Sequence, residues 1–327
     1  MNKIFASSVL LACMNLAQAQ DMKGEHHKGH ATNGSMAGHM HKAGKVMFMY
    51  RYMGMHMDGN RDGTDRVSDS EVLTDYMVTP TSMDMDMHMF GAMYGVNDSF
   101  TAMVMLPYVR KSMKHLTRLG GRFTTTSEGI GDMKITGMYK LSQQTGSMLH
   151  LNLGLSIPTG SIDERDDTPA AMNVKLPYPM QLGSGTYDLM PGITYRAYNE
   201  NYSWGARATA TIHIGENDND YTLGDMLEVS GWIERKLTSS LSASARLNAQ
   251  SWGDIDGADS DLNPAMIPTA DPELRSGKRL DLLVELNYDT GKGNRFAIEV
   301  GKPVYQNLDG PQLETDVLVT ANWQVTF

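Results

Sequence analysis

Cysteine is almost absent from this chain of 327 residues. The single cysteine, Cys13, lies within the first twenty residues, which carry the pattern of an export signal. The rest of the chain therefore has no disulfide framework, no thiolate metal site and no cysteine nucleophile. Its stability must come from burial and hydrogen bonding alone.

Long apolar runs are also missing. After residue 20 no stretch approaches the roughly eighteen consecutive apolar residues that a membrane helix needs, which excludes a helical membrane protein. Positive charge is scarce as well, since 28 Lys and Arg stand against 38 Asp and Glu and give a formal net charge of −10. Because no basic stripe is present to neutralise a phosphate backbone, we expect no nucleic-acid partner.

The N-terminus has the pattern of a secretory signal peptide. Lys3 precedes a short apolar run from Ile4 to Leu16, and Ala17-Gln18-Ala19 forms a small-x-small cleavage site. Residues 1–19 are therefore predicted to be a signal peptide. Leu10-Leu11-Ala12-Cys13 also resembles a lipoprotein cleavage box, so lipidation of Cys13 stays open as an alternative.

Residues 20–45 form a polar segment without apolar periodicity. The segment is rich in glycine, methionine and histidine, and such a composition cannot bury enough apolar surface to fold alone. We predict a disordered, Met/His-rich periplasmic leader. Its histidines are His26, His27, His30, His39 and His41.

From Val46 onward the apolar residues recur at every second position, which predicts β-strands. Short links alternate with longer acidic or glycine-rich links, and the count gives about twelve strands. This alternation is typical of an outer-membrane barrel whose short turns face the periplasm. We therefore predict an all-β fold over residues 46–327, an antiparallel up-and-down transmembrane β-barrel in the cell outer membrane of a Gram-negative bacterium. A soluble β-sandwich or a lipocalin-like barrel is the alternative.

The last strand keeps its alternation to the end of the chain. Trp323 and the terminal Phe327 lie on its apolar face. This ending resembles the C-terminal signal of outer-membrane barrels. We therefore expect outer-membrane lipid and the barrel-insertion machinery as partners, together with a metal ion or small molecule as cargo.

Three glycine-rich stretches resemble one protein family, and the likeness extends over roughly residues 95–327. The stretches are Glu128 to Asp132, Gly154 to Ser161 and Leu182 to Gly192, in this order. The family is that of the outer-membrane proteins named for the MetA pathway of phenol degradation, often labelled as transporters. The resemblance implies a barrel of about twelve strands with a transport role, and it supplies no catalytic residues. The Met/His-rich N-terminal part is similar instead to copper-resistance outer-membrane proteins, which join such a leader to a barrel.

Methionine is concentrated in the first third of the chain, since 17 of the 27 lie between Met22 and Met113. Thioether sulfur is a soft ligand that suits Cu(I) or Ag(I), whereas imidazole suits Cu(II), Zn(II) or Ni(II). No cofactor is expected to be obligatory, and a copper or silver ion is the candidate bound metal. The predicted metal ligands are His26, His27, His30, Met36, His39, Met40, His41, Met47, Met49, Met53, Met55, Met57, Asp84, Asp86 and His88.

Charged residues predict which face of each strand lines the lumen, because a charge on the lipid side at mid-membrane costs about 2–4 kcal/mol. Arg51 shares a face with the methionines from Met47 to Met57, so this face is predicted to be lumenal. By the same reasoning Asp84, Asp86 and His88 are predicted to line the lumen, and Met83 to Met89 to face lipid. The alternative is that methionine serves only as a polarizable space-filler.

The function predicted from these patterns is transport of, or resistance to, a soft metal, most readily copper, by ligand exchange among Met and His side chains. One alternative is a channel for small hydrophobic or aromatic compounds, and another is a structural envelope protein without cargo. Catalysis is not expected, because no serine stands at a suitable spacing from His150 or His213 to form a nucleophile–base pair.

Overall fold

A computed structural model describes residues 40–327, so the predicted signal peptide and most of the predicted leader lie outside the described residues. Within this part of the chain, no helix is both long and apolar enough to cross a membrane. The strands and helices are β1 Val46–Gly63, β2 Asp65–Val67, α1 Asp69–Asp75, β3 Val78–Asn97, β4 Phe100–Thr117, β5 Arg122–Ile130, β6 Met133–Gln144, β7 Ser147–Ile157, β8 Arg165–Asp166, β9 Val174–Lys175, the 3-10 helix Tyr178–Met180, β10 Tyr187–Tyr198, β11 Tyr202–Ile214, β12 Tyr221–Thr222, β13 Met226–Lys236, β14 Leu241–Trp252, β15 Asp256–Gly257, the 3-10 helices Pro268–Ala270 and Pro272–Leu274, β16 Gly277–Asp289 and β17 Asn294–Thr326.

Eleven of these strands form a closed antiparallel barrel in residues 40–327. Each strand pairs with its sequence neighbour in the wall, and β17 closes the circuit by pairing with β1. β2 and β5 pair with β1 and β4 respectively but stand outside the circuit. Closure leaves no strand edge without a partner in hydrocarbon, which is what the bilayer demands. The predicted all-β barrel is confirmed.

The closing strand β17 is folded into two arms. Its first arm pairs with β16 and its second with β1, and Leu308 is opposite both Gly277 and Gly63. The backbone N–H of Thr326 donates to the carbonyl of Gly293 at 2.9 Å, which places the two ends of the strand side by side. Gly310 has a φ of +74°, a conformation that glycine adopts without strain, and marks the reversal. Counted by passes, the wall therefore has the twelve expected from the sequence.

The outer face of the barrel is apolar and is bordered by aromatic rows. Toward the end with the short turns, this surface carries the exposed rings of Phe48, Tyr94, Tyr139, Tyr288, Phe296 and Trp323. Toward the long loops, Tyr52, His88 and Tyr108 lie opposite one another in one cross-strand row. Aromatic girdles on both sides of an apolar band are typical of a barrel that crosses a membrane.

The predicted facing of β3 is wrong. Met89 lies directly opposite Arg51, and Met83 and Met93 are buried, so the methionines of β3 point into the lumen. Asp84, Asp86 and His88 point outward. There His56 bonds Asp84 at 2.6 Å, Tyr52 donates to Asp86 at 2.5 Å and Tyr50 bonds His88 at 2.8 Å.

The position of these charges along the membrane normal explains why the facing of β3 was predicted wrongly. Asp86 is opposite Arg110, which is in turn opposite Glu128, and this charged row lies one step beyond the aromatic row of Tyr52, His88 and Tyr108. The lipid-side cost applies to charges near mid-membrane and becomes small at the interface. Asp84 and Asp86 therefore face outward at little cost, since they lie past the apolar band.

Candidate functional site

The lumen contains a central cavity of about 740 Å³ that is built from two unlike walls. Strands β1, β3 and β4 supply methionines, whereas β11, β13, β14, β16 and β17 supply arginines and carboxylates. A pocket of this size is ordinary for a small-molecule site, since such sites span about 300–1,000 Å³. What distinguishes this cavity is that its apolar and charged surfaces face each other.

The methionine wall is continuous over three neighbouring strands. Because directly opposed residues share a face of a sheet, the pairs Met53–Met87 and Met55–Met85 point to the same side, into the cavity. Every methionine of β1, β3 and β4 points inward: Met47, Met49, Met53, Met55, Met57, Met83, Met85, Met87, Met89, Met93, Met103, Met105 and Met113. The inward facing predicted for the methionines of β1 is confirmed.

The charged wall is largely compensated by its own contacts. Arg246 makes two hydrogen bonds to Glu299, at 3.1 and 2.7 Å, and both side chains are buried. Arg279 contacts Asp281 at 2.9 Å and also donates to Thr315 at 2.7 Å. Paired guanidinium and carboxylate groups hold each other in fixed positions. This wall therefore narrows the lumen with rigid polar groups.

A long connection closes the cavity on the side of the long loops. This connection, residues 158–186 between β7 and β10, is called the cap below. Its Leu176 and Met180 are fully buried against Met83 and Met113. Lys111 of the wall donates to the carbonyl of Pro179 at 2.8 Å, which ties the cap to the lumen.

Lys175 anchors the cap to a second loop. Its ammonium contacts Asp163 at 2.7 Å and Asp259 at 2.6 Å. Burial lowers the pKa of Lys175, but these two bonds outweigh burial and leave the pKa above its ordinary value. Bonds from Lys175 and Asn219 hold the pKa of Asp163 below its usual 3.8. The contribution of Asp163 is complete above pH 3.8 and is lost as the pH falls further, while that of Lys175 is complete below pH 10.5.

Replacing this anchor is expected to loosen the cap. Lys175→Met leaves the buried Asp259 without its cation, and an unpaired buried charge is costly. We expect faster hydrogen exchange across residues 158–186, measured by mass spectrometry on the detergent-solubilised barrel, by about tenfold for each 1.4 kcal/mol lost. Arg165→Met is the matched control, because the Arg165–Asp261 pair at 2.6 Å is exposed and should matter little. Equal exchange rates in the two variants would contradict the anchoring role.

The other end of the lumen is narrowed by the segment that precedes β1. This segment, residues 40–43, is called the strap below. The backbone N–H of His41 donates to the buried Thr101 hydroxyl at 3.0 Å, and that of Ala43 donates to Asp98 at 3.1 Å. A Cβ on Gly95 would lie 2.1 Å from the carbonyl oxygen of Lys42, so only glycine leaves room for the strap. Met40 packs on the methionines of the wall.

The three glycine-rich stretches meet at a break in the wall. β5 pairs only with β4, and after Gly131 and Asp132 the strand β6 takes over the pairing with β4 and pairs with β7 on its other side. Asp132 accepts hydrogen bonds from the backbone N–H of Gly160 at 2.9 Å and of Ser184 at 2.8 Å. A Cβ on Gly183 would lie 2.6 Å from the Asp132 carboxylate and from the Gly160 carbonyl. The motifs thus form one structural unit, in which a single carboxylate holds two turns across the break.

The predicted metal ligands lie in different parts of the protein. His26, His27, His30, Met36 and His39 lie outside the described residues. Met40, Met47 and Met49 come together at the strap, Met53, Met55 and Met57 line the lumen, and Asp84, Asp86 and His88 lie on the outer face. Within residues 40–327 no three His, Cys, Asp or Glu side chains form a group that could hold a metal ion. His41, which lies in the strap, and Asp84, Asp86 and His88 therefore belong to no such group.

The sequence reading missed the lumenal methionines of β3. They are the middle strand of the methionine wall and make it continuous. The signal that would have found them is register: once Arg51 is lumenal, its cross-strand partner Met89 must be lumenal too.

A closed antiparallel barrel with an apolar outer band and aromatic borders is the architecture of an outer-membrane β-barrel. The chain belongs to the family described as "Putative MetA-pathway of phenol degradation", which matches residues 64–297. The barrel is similar to the COG4313 outer membrane channel from Pseudomonas putida F1, with a TM-score of 0.67, 16% identity, and coverage of 92% of this chain and 100% of the other. At this sequence identity the likeness shows the fold alone.

Two other barrels are similar with lower TM-scores. One is a FadL homologue from Pseudomonas aeruginosa, with a TM-score of 0.42, 10% identity and coverage of 86% of this chain and 90% of the other. The other is a TodX deltaS2S3 mutant monoaromatic hydrocarbon channel, with a TM-score of 0.46, 9% identity and coverage of 88% and 91%. No curated protein matches the sequence.

Proposed function

We propose that this outer-membrane channel admits small hydrophobic or aromatic compounds, which pass along the methionine wall. The observation that carries the proposal is the two-sided cavity, in which a continuous row of thioether side chains faces a self-compensated polar wall. Methionine is unbranched and polarizable, so it adapts to apolar molecules of varied shape and makes favourable contacts of about 0.3–1.5 kcal/mol with aromatic rings. The family description, which refers to phenol degradation, agrees with such a cargo.

Arg51 places a guanidinium group within the methionine wall. It lies between Met49 and Met53 on β1 and lines the central cavity. A guanidinium stacks on aromatic faces as well as forming hydrogen bonds. An aromatic compound that bears a hydroxyl group would meet both kinds of contact here, with its ring on thioethers and its oxygen near the charged wall.

The ends of the lumen argue against a general aqueous pore. The cap fills the outer side with Leu176 and Met180, and the strap narrows the other side. In the polar wall Arg246 pairs with Glu299 and Arg279 with Asp281, so the wall carries both signs of charge and not the single-sign ring that selects ions. We therefore propose passage of compounds that leave water readily. Copper transport, the first function predicted from the sequence, has no support among the related proteins.

Uptake of an apolar aromatic dye tests the proposal. Cells that produce the protein should take up N-phenylnaphthylamine faster than cells with the empty vector, because the outer leaflet itself resists apolar solutes. A Met53→Glu/Met87→Glu/Met89→Glu variant should lose about tenfold in rate or more, since 1.4 kcal/mol corresponds to tenfold and burying a charge against the cargo costs more. The measurement is the initial rise of dye fluorescence.

Met53→Leu/Met87→Leu/Met89→Leu is the matched control and should keep the native rate, because a Leu–Met exchange conserves volume and apolarity. The heat-dependent gel mobility of each barrel verifies insertion. Uptake that is insensitive to the glutamates, or equal entry of a hydrophilic dye of similar size, would contradict the proposal.

A further inference from the structure

Six methionines form a cluster of their own where the strap meets the wall. Five of them are buried, Met40 of the strap packs against them, and methionine is the only apolar residue type of the cluster within residues 40–327. We call this set the inner thioether cluster: Met40, Met47, Met49, Met93, Met103 and Met138.

The strand register brings these thioethers together. Met47 is directly opposite Met93, and Met93 is directly opposite Met103, so three methionines form one row over three strands. Opposed Cβ atoms in a sheet are about 4.5–5.5 Å apart, which allows long side chains in a row to converge on one point. Met49 leans over Gly91, where a Cβ would lie 3.0 Å from its sulfur, and so approaches the same row. Met138 adds a thioether from β6.

Packing alone does not explain why sulfur occupies every position. An exchange between leucine and methionine in a core costs less than about 1.5 kcal/mol, so a purely apolar cluster would be expected to mix the two. The outward positions of the same strands carry Phe48, Val104 and Leu106 and no methionine. A second row, Met57, Met83 and Met113, does mix with Leu176 and Leu313 beneath the cap. Methionine is thus exclusive in the inner cluster only.

We propose that the inner thioether cluster binds one soft monovalent cation, Cu(I) or Ag(I). Thioether sulfur selects such ions over hard or borderline ones. The surrounding mouth carries five basic side chains, Lys42, Lys45, Lys140, Arg196 and Arg295, against the two carboxylates of Asp98 and Asp289. The positive potential of these side chains repels a divalent cation more strongly than a monovalent one. The thioether ligands are neutral, so they add no charge that would reverse this preference for a monovalent cation.

The site is separate from the central cavity. It lies between the strap and the lower wall, whereas the cargo is proposed to contact Met53, Met87 and Met89 in the central cavity. Binding of the ion would join the strap, through Met40, to four strands of the wall, β1, β3, β4 and β6. An ion held there would keep the strap in place.

Titration of the purified full chain with Ag(I) in detergent tests the site. The protein carries methyl-¹³C methionine. The test variant, called the inner variant, is Met47→Leu/Met93→Leu/Met103→Leu. The control variant is Met53→Leu/Met87→Leu/Met89→Leu, which removes the same number of thioethers from the wall of the central cavity. We expect the inner variant to lose about tenfold in affinity or more, and the control to bind as the native protein does. Affinity is measured by equilibrium dialysis against a competing thioether.

The methyl spectrum of the native protein supplies a test that does not need a folded triple variant. One equivalent of Ag(I) should shift the methyl resonances of the inner cluster, assigned by single Met→Leu changes, before those of the central cavity. Shifts confined to other methionines, or equal losses of affinity in both triple variants, would overturn the proposal. Dye uptake by the native protein in metal-free medium needs no ion, so failure of Ag(I) to bind here would leave the proposed channel function untouched.

Discussion

Replacing Glu299 by glutamine is expected to lower the free energy of unfolding of the barrel by about 3–5 kcal/mol. The change removes the negative charge beside the buried Arg246 and leaves an amide oxygen that can accept only one of the two bonds, which measure 3.1 and 2.7 Å. Arg51 and Arg207 belong to the same charge cluster, so the loss of one anion also leaves like charges facing each other. The measurement is denaturant unfolding of the barrel in lipid vesicles.

Two controls separate this effect from a general response to mutation. Arg246→Met/Glu299→Leu removes both charges and should restore most of the stability, because a buried ion pair can often be replaced by apolar residues without loss. Glu128→Gln breaks the exposed contact with Arg110, which is 3.7 Å long, and should change stability by less than about 1 kcal/mol. A native-like Glu299→Gln barrel would show that the charged wall does not depend on this pair.

Replacing Asp132 by alanine is expected to open the wall at its break. The carboxylate accepts from the backbone of Gly160 and of Ser184, and the Ser184 hydroxyl donates to it at 3.2 Å. Hydrogen bonds to a charged group are worth about 1.5–3 kcal/mol each, and their loss frees two turns at once. We expect faster amide exchange at Gly160 and Ser184 and faster entry of apolar dye.

Asp166→Ala is the matched control, because Asp166 also bonds a strand from the cap, at 2.7 Å to the Thr126 amide, but away from the break. This variant should leave the exchange at Gly160 and Ser184 unchanged. Asp132→Asn retains one acceptor oxygen and should fall between the native protein and the alanine variant. If Asp132→Ala and Asp166→Ala behave alike, the glycine-rich motifs do not depend on Asp132.

The barrel could be predicted from the sequence because the period of two is a local signal that persists wherever one face meets lipid. The period of two does not identify the parts of strands that extend beyond the membrane on the side of the long loops. β1 continues to Gly63 and β4 to Thr117, and β5 begins at Arg122, in parts of the chain where apolar residues do not recur at every second position. There both faces of a strand meet polar surroundings, so the alternation disappears while the backbone pairing continues.

The site was predicted in part, since facing depends on height and register as well as on composition. Arg51 correctly indicated a lumenal β1, because it lies within the membrane band. Asp86 indicated the wrong face of β3, because it lies beyond the membrane band and accepts a hydrogen bond from Tyr52 on the outer face. The convergence of the glycine-rich stretches on Asp132 requires contacts between residues far apart in sequence, which no local pattern reveals.

The pairing of β1 with β17 imposes an order on folding. Met47 pairs with Thr326, so the wall cannot close until nearly the whole chain has been exported. Contacts between such distant residues form slowly, because the ends of a long loop must first meet by diffusion. Until then the first strand has an exposed edge and a methionine-rich face that other chains can bind. Synthesis must therefore be followed by a period of protection, and a chain that stops before its last strand would be expected to aggregate rather than to form a smaller pore.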